Sequence, residues 1–477
     1  MKLIRILALL LLASGWLIAG WLWTNRLRDQ PAPSTEAAPP AEAQPPLPTP
    51  EPLAQLVAEW RQKPGFAGAT LGICLLGPDG GKLASFNDDL ALVPASSLKT
   101  LTTGAALEML GSEFAFETIA AATSAVSAEG VVDGNLVLIG GGDPTLSSAD
   151  LENLAEAVFT AGVKSITGGV IADASAFPEA AASDHWVWGD VGNAFGAGVF
   201  GLNVDHNRYE ARFEPGANAG DPAAFLGASQ ELPGVTWTSF VTTGPPGSGD
   251  GVMIHSGPYA SNITLRGTVP AGESGFTAGG SIPDPPALAA FLFDRSLRAR
   301  GVSIGAAPRT TRGAAVETAP VRLAAHQSAP LKEIIPHLHE VSDNVEAQAL
   351  FLKLGGAAAL REFWETRGVR FAGVRIEDGS GLARASRIRP ADLAHANFLA
   401  RHSATGKTFF ESLSQSRGGL VRSKTGAMSG VRAEVGFLSR ESGSELTFAI
   451  IGNGLTSGAN FWSFRDAVLD VLSTEFP

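Results

Sequence analysis

The sequence has almost no cysteine. Cys74 is the only one in 477 residues and lies in the apolar run LGICLLG. That excludes an internal disulfide or a cysteine-rich metal centre, and leaves the thiol as a small buried hydrophobe. Positive charge is also scarce: 35 Lys and Arg face 47 Asp and Glu, for a formal charge of −12. A surface of that sign cannot grip a phosphate backbone, so nucleic acid is excluded as a partner. Only nine of the basic residues are lysines, which makes a lysine inside a motif more informative. The eight histidines are scattered and none stands in an H-E-x-x-H pattern, so neither a metal nor a cofactor is expected. No internal repeat is present.

What is there suffices for large cores. Hydrophobic residues make up 45%, with nine Trp and 25 Phe. The length exceeds one ordinary core and predicts two or three domains.

Residues 1–29 read as a signal peptide or signal-anchor helix. Lys2 and Arg5 precede an uncharged run from Ile6 to Trp23, which as a helix would span about 27 Å, close to a bilayer core. Ala13-Ser14-Gly15 offers a cleavage site, and Trp16 after LASG rules out a lipidated cysteine. Both readings, periplasmic release and a membrane anchor, put the folded body outside the cytoplasm. Residues 30–52 form a Pro/Ala/Glu tether that buries nothing.

Beyond the tether, LAQLVAEWRQ predicts a helix and GATLGICLLGPDGGKLASFNDD a hairpin. From 112 to 283, short β-like runs broken by glycine-rich turns predict a largely β insertion. The catalytic body is assigned to 53–111 and 284–477, where helical patterns return and GGLVRSKTG, VRAEVGFLSR and LTFAIIGNG predict antiparallel strands.

The chemistry begins at VPASSLKTLTTGAALEML. Ser96 and Lys99 are one helical turn apart and share a face. A serine needs a base, and burial would lower a lysine pKa enough to supply one. By itself this is also a capped helix with a solvated lysine. Two further phrases reverse the odds. Ser342-Asp343-Asn344 precedes a helix, where Ser342 can pass a proton and Asn344 can present its amide to a substrate or a lysine. Lys424-Thr425-Gly426 ends an apolar strand, where the lysine and threonine suit a carboxylate and the glycine lets a substrate backbone come close. Decoys fail on placement: Ser85-Phe86-Asn87 precedes the serine helix, His255-Ser256-Gly257 lies inside the insertion, and RHSATGKT has Arg401 where a phosphate loop needs glycine.

S-x-x-K, S-x-N and K-T-G in this order mark penicillin-binding proteins and class A β-lactamases. The phrases PASSLKTLTTGAALEMLG, GNLVLIGGGDPTL, VSDNVEAQALFLKLG, DGSGLARASRIRP and SKTGAMSGVRAEVGFL make the chain resemble the low-molecular-mass class C penicillin-binding proteins. These are the D-alanyl-D-alanine carboxypeptidase/endopeptidases of peptidase family S13. The two motif serines stand 246 residues apart, room for the large insertion of that family. In VFGLN, the nearest match to the β-lactamase deacylation phrase, Val199 replaces the glutamate.

The resemblance implies an α+β serine β-lactamase/DD-peptidase-like fold, an antiparallel sheet covered by helices. It implies Ser96 as nucleophile, Lys99 as base and Ser342 as proton relay. Asn344, Lys424, Thr425 and Gly426 would bind substrate, and the backbone N–H groups of Ser96 and Ala427 would form the oxyanion hole. The substrate would be the D-Ala-D-Ala terminus or the D-Ala–diaminoacyl cross-link of peptidoglycan, with β-lactams as covalent inhibitors. A serine esterase or amidase on the same fold, or a slowly acylating sensor, are the rival readings.

Overall fold

In the computed structural model, residues 49–178, 182–316, 321–440 and 443–475 are described. The expected signal or anchor segment, and the tether up to residue 48, lie outside them.

The three C-terminal apolar runs pair in sequence because their connections are short. Strand Val421–Met428 turns at Ser429-Gly430 into Val431–Ser439, and Gly430 takes the positive φ of 75° that so tight a turn needs. Strand Glu445–Asn453 follows, then pairs with the N-terminal strand Thr70–Leu76, whose hairpin partner Lys82–Phe86 forms one edge. Ser414–Ser416 completes a six-stranded antiparallel sheet at the other edge.

Both faces of this sheet are covered, so Thr70–Leu76 and Glu445–Asn453 are apolar over most of their length rather than alternating. Leu71, Ile73, Phe448 and Ile450 pack on one side with helices Glu51–Trp60 and Phe461–Glu475. Cys74, Ala449 and Ile451 face the other side, where helices Lys99–Met109, Leu331–Val341, Gly356–Glu365 and Pro390–Arg401 build the larger core. The Cys74 thiol is fully buried and pushed far above its usual pKa by that burial.

The insertion differs from its expected bounds. Its five-stranded sheet includes Glu117–Ala122, Leu136–Gly140 and Val170–Asp173, but also Arg309–Thr310 and Val321–Gln327. The chain therefore leaves and returns on neighbouring antiparallel strands, and Phe116 and Ser328 exchange hydrogen bonds at their foot (2.9 Å each). The junction expected at 283/284 moves to this stalk. Helix Pro285–Ala299, assigned by sequence to the catalytic body, buries Leu288, Phe293 and Leu297 in the insertion's core.

The insertion, expected to be largely β, also carries helices. Helix Ser148–Thr160 packs beside Pro285–Ala299, started by a capping box between Ser147 and Asp150. Three further three-stranded sheets complete the inserted body.

Candidate active site

Pro94 ends the approach to the serine helix, and Ala95 turns the chain at a left-handed φ of 48°. Ser96 then sits in a short 3-10 turn, Ala95–Leu98, that runs into helix Lys99–Met109. Ser97 is spent locally, its hydroxyl donating to the Pro94 carbonyl (2.8 Å). Ser96 is left facing Lys99: Nζ lies 3.1 Å from Ser96 Oγ.

Lys99 is fully buried, and its other two hydrogen bonds come from distant segments. Nζ donates to Asn344 Oδ1 (2.6 Å) and to the Ser380 carbonyl (2.9 Å). Burial first, and then repulsion from Lys424, draw its pKa down to about 7. A large share of the amine is thus neutral near neutral pH and can take a proton.

Asn344 begins helix Asn344–Lys353, and the preceding Asp343 is its cap, accepting from the Glu346 amide (2.9 Å). Capping by the middle residue of the motif leaves Asn344 free to reach Lys99. Its Nδ2 donates to the Phe195 carbonyl of the insertion (2.7 Å), so one of its two amide hydrogens is already used. Ser342 ends the preceding helix in a left-handed conformation, φ 59°, half-buried. Its hydroxyl makes no hydrogen bond to Lys99, Lys424 or any other described residue, so the structure does not join Ser342 to the Ser96–Lys99 pair.

Lys424 is buried on the strand beside the serine turn, and burial draws its pKa down to about 8 against the pull of Glu434. Its Nζ donates to the Thr425 carbonyl (2.9 Å). Thr425 is exposed on the alternate pleat, and the cavity at Ser96 is lined without it.

The place of Gly426 differs from expectation. A Cβ there would lie 2.6 Å from the Pro94 carbonyl and 2.9 Å from Ser96 N. The missing side chain admits the serine turn of the protein itself rather than a substrate backbone. It brings the strand edge bearing Ala427 against the start of the serine helix. Beyond Ser423 that edge has no strand partner.

Ser96 opens into a cavity of about 280 Å³. Ala427, Met428 and Ser429 form one wall; Gly381, Leu382 and Arg384 form another; Asp190 and Phe195 of the insertion close it. Asp190 and Arg384 put opposite charges on this lining. Burial raises the Asp190 pKa, and Arg384 opposes the rise.

The motifs give no role to any residue of DGSGL, nor to Asp190. Asp378 organises the first. Its carboxylate accepts from Ser380 Oγ (2.5 Å), the amides of Gly381 (3.1 Å) and Leu382 (3.0 Å), and the indole of Trp186 in the insertion (3.0 Å). This fixes the loop that offers the Ser380 carbonyl to Lys99. Acceptor contacts gathered around an aspartate two residues before a serine follow no spacing rule, so only the folded chain reveals them.

Behind Asn344, ligand atoms of His206, Asp343 and Glu346 lie within 4.8 Å of one another, the one cluster of metal-binding proportions among the described residues. Both Asp343 oxygens are already engaged, one by the Glu346 amide and the other by Arg208 (2.9 Å).

A model of the D-Ala-D-Ala carboxypeptidase 3 (S13) family matches residues 53–475. The chain belongs to that family. Among S13-type relatives, a D-alanyl-D-alanine carboxypeptidase from Actinomadura sp. (strain R39) is 31% identical over 453 residues, covering 85% of this chain and 82% of the relative. D-alanyl-D-alanine carboxypeptidase DacB of Haemophilus influenzae is 25% identical over 410 residues, covering 79% and 83%. The crystal structure of penicillin binding protein 4 (dacB) from Haemophilus influenzae superposes with a TM-score of 0.77 at 23% identity, over 88% of this chain and 98% of that one. The same protein complexed with a β-lactam gives 0.72. The α+β penicillin-fold architecture expected from sequence is thus present. The chain is a serine-type D-Ala-D-Ala carboxypeptidase of the S13 family, a peptidoglycan-acting enzyme.

Proposed function

We propose that Ser96 is the acylated nucleophile and Lys99 its base. The observation that carries this is the fully buried Lys99 ammonium site, 3.1 Å from Ser96 Oγ, with a pKa drawn down to about 7. As Ser96 Oγ bonds to the carbonyl carbon of the penultimate D-Ala, Lys99 takes its proton. The oxyanion forms between the N–H groups of Ser96 and Ala427, which the Gly426 contact supports by bringing the two segments together. The C–N bond then breaks, and Ser342, whose hydroxyl is otherwise unengaged, relays a proton to the leaving amine. In that role Ser342 must close on the lysines once substrate is bound. Water releases the acyl group and restores Ser96.

Asn344 holds Lys99 and offers its remaining amide hydrogen to the substrate backbone. Lys424, with Thr425, holds the terminal carboxylate; Gly426 positions the strand. Asp190 and Arg384 suit a residue carrying both an amine and a carboxylate, so the cavity favours a diaminoacyl residue in the stem peptide or cross-link. β-Lactams would acylate Ser96 by the same steps.

A fluorescent penicillin should label the protein once, and Ser96→Ala should abolish the band; persistent labelling would reject the nucleophile. Release of D-Ala from pentapeptide muropeptides, or of monomers from cross-linked ones, separates a peptidase from a sensor that only acylates, and from an esterase. We further propose that residues 1–29 anchor the enzyme to the membrane through the Pro/Ala/Glu tether, which ends at helix Glu51–Trp60 rather than at 52. Among the described residues no helix is long and apolar enough to cross a membrane. N-terminal sequencing of the protein from cells tests the anchor: an intact Met1 supports it, and a start near Trp16 replaces it with a cleaved signal.

A further inference from the structure

The inserted body presents an aromatic surface beside the cavity. Trp188 is 65% exposed and Phe195, which also lines the cavity, is 48% exposed. Val187, beside Trp188 in the chain, is exposed as well, and exposed apolar residues grouped next to a cavity mark a contact surface where a single one would not. Trp188 starts the short helix Trp188–Val191, and Asp190, two residues on, is part of the cavity wall. The platform thus continues the lining of the catalytic cavity.

Its mounting is rigid. Trp186, just before it, is buried and tied to Asp378 by its indole N–H (3.0 Å). Just after it, the Gly189 carbonyl accepts from Asn193 Nδ2 (2.6 Å). One face of the Trp188 ring rests on the His255 imidazole, with centroids 6.2 Å apart and planes 22° apart, and His255 in turn meets Arg266 (2.9 Å). The indole is therefore held with a supported face and an exposed one.

We propose that the exposed face of Trp188 is a stacking platform for a sugar ring of the glycan strand that carries the stem peptide. The proposal rests on reading the cavity as the stem-peptide site. A carboxypeptidase cuts at the C-terminal end of that peptide, and the sugar is attached at its other end. A peptide with its scissile carbonyl at Ser96 that runs out along the Asp190 wall reaches Trp188 as it leaves the cavity. The chemistry matches as well. A pyranose offers a face of C–H groups, weakly positive, to the negative face of an aromatic ring. Its hydroxyls need polar neighbours, and His185, paired with Glu377 (3.0 Å), stands three residues before Trp188 in the chain. A protein partner would instead call for a wider apolar centre inside the polar rim.

The test compares D-Ala release by the full-length enzyme from a free pentapeptide and from the same pentapeptide on the peptidoglycan disaccharide. Trp188→Ala should lower kcat/KM about five- to tenfold on the disaccharide-peptide and leave the free peptide unchanged. Trp188→Phe should retain most of the preference. Fluorescent-penicillin labelling at the wild-type rate would show Ser96 undisturbed in both variants. An equal loss on both substrates would mean that Trp188 holds peptide, and no loss on either would mean that it holds nothing; both overturn the platform. A wild-type enzyme inactive on both substrates would instead overturn the peptidase reading, and the platform with it.

Discussion

Lys99 illustrates how residue chemistry is set by surroundings three hundred residues away in sequence. An exposed lysine is charged at neutral pH and cannot act as a base. Here burial disfavours the ammonium, Lys424 repels it, and Asp378 and Asp343 partly restore it. The folded-state pKa lies below the ordinary lysine value of 10.5, so the neutral form is favoured on folding and is gained as pH rises through about 7. The rate of penicillin acylation should therefore climb through pH 7 and fall again above about 8, where Lys424 loses the charge that holds the carboxylate. Because Lys424 contributes to the lowering, Lys424→Ala should move that midpoint to higher pH as well as slow acylation. A pH–rate profile of labelling checks both, and an unchanged or lower midpoint would contradict the coupling.

At the scale of elements, the site depends on how closely one strand edge approaches one helical turn. Gly426 lies against backbone atoms of Pro94, Ser96 and Ser97, which cannot move aside as a flexible side chain can. Gly426→Ala must push the strand from the serine turn by several tenths of an ångström and separate the Ala427 and Ser96 amides. Acylation should fall about a hundredfold, in line with the cost of a small misplacement at a reacting centre. Circular dichroism should show the fold retained. Acylation at the wild-type rate would show that the contact does not set the geometry.

For the whole molecule, the inserted body is part of the site. It sends the Phe195 carbonyl to Asn344, the Trp186 indole to Asp378 and the Arg208 guanidinium to Asp343. Burial opposes ionisation of Asp343, but Arg208 and the Glu346 amide outweigh it and hold its carboxyl below the ordinary range. Arg208→Met would strand a buried carboxylate. Because Arg208 is partly exposed, the loss should be about 2 kcal/mol rather than the larger cost of breaking a fully buried pair. Thermal unfolding should shift down, and penicillin labelling should weaken because Asp343 caps the helix that starts at Asn344. An unchanged melting temperature and labelling rate would mean that the two bodies are not coupled there.

Ser96, Lys99, Asn344 and Lys424 could be found in the sequence because each belongs to a short motif whose spacing is fixed by one helical turn, one helix start or one strand. The antiparallel sheet was equally legible, since its three last strands are local neighbours joined by tight turns. The extent of the insertion was not: helix Pro285–Ala299 has the same apolar periodicity whichever core it joins, and only packing against Ser148–Thr160 and the return strand Val321–Gln327 decides. Asp378, the Ser380 carbonyl and the aromatic wall at Trp188 and Phe195 were hidden for a related reason. A backbone carbonyl has no sequence signature, and a buried carboxylate or exposed indole acquires its role from neighbours brought by other segments. Local spacing, written in the chain, singled out the proposed nucleophile and its proposed base. Long-range packing, which no local pattern encodes, decided what holds the lysine neutral, what encloses the substrate and which body supplies the walls.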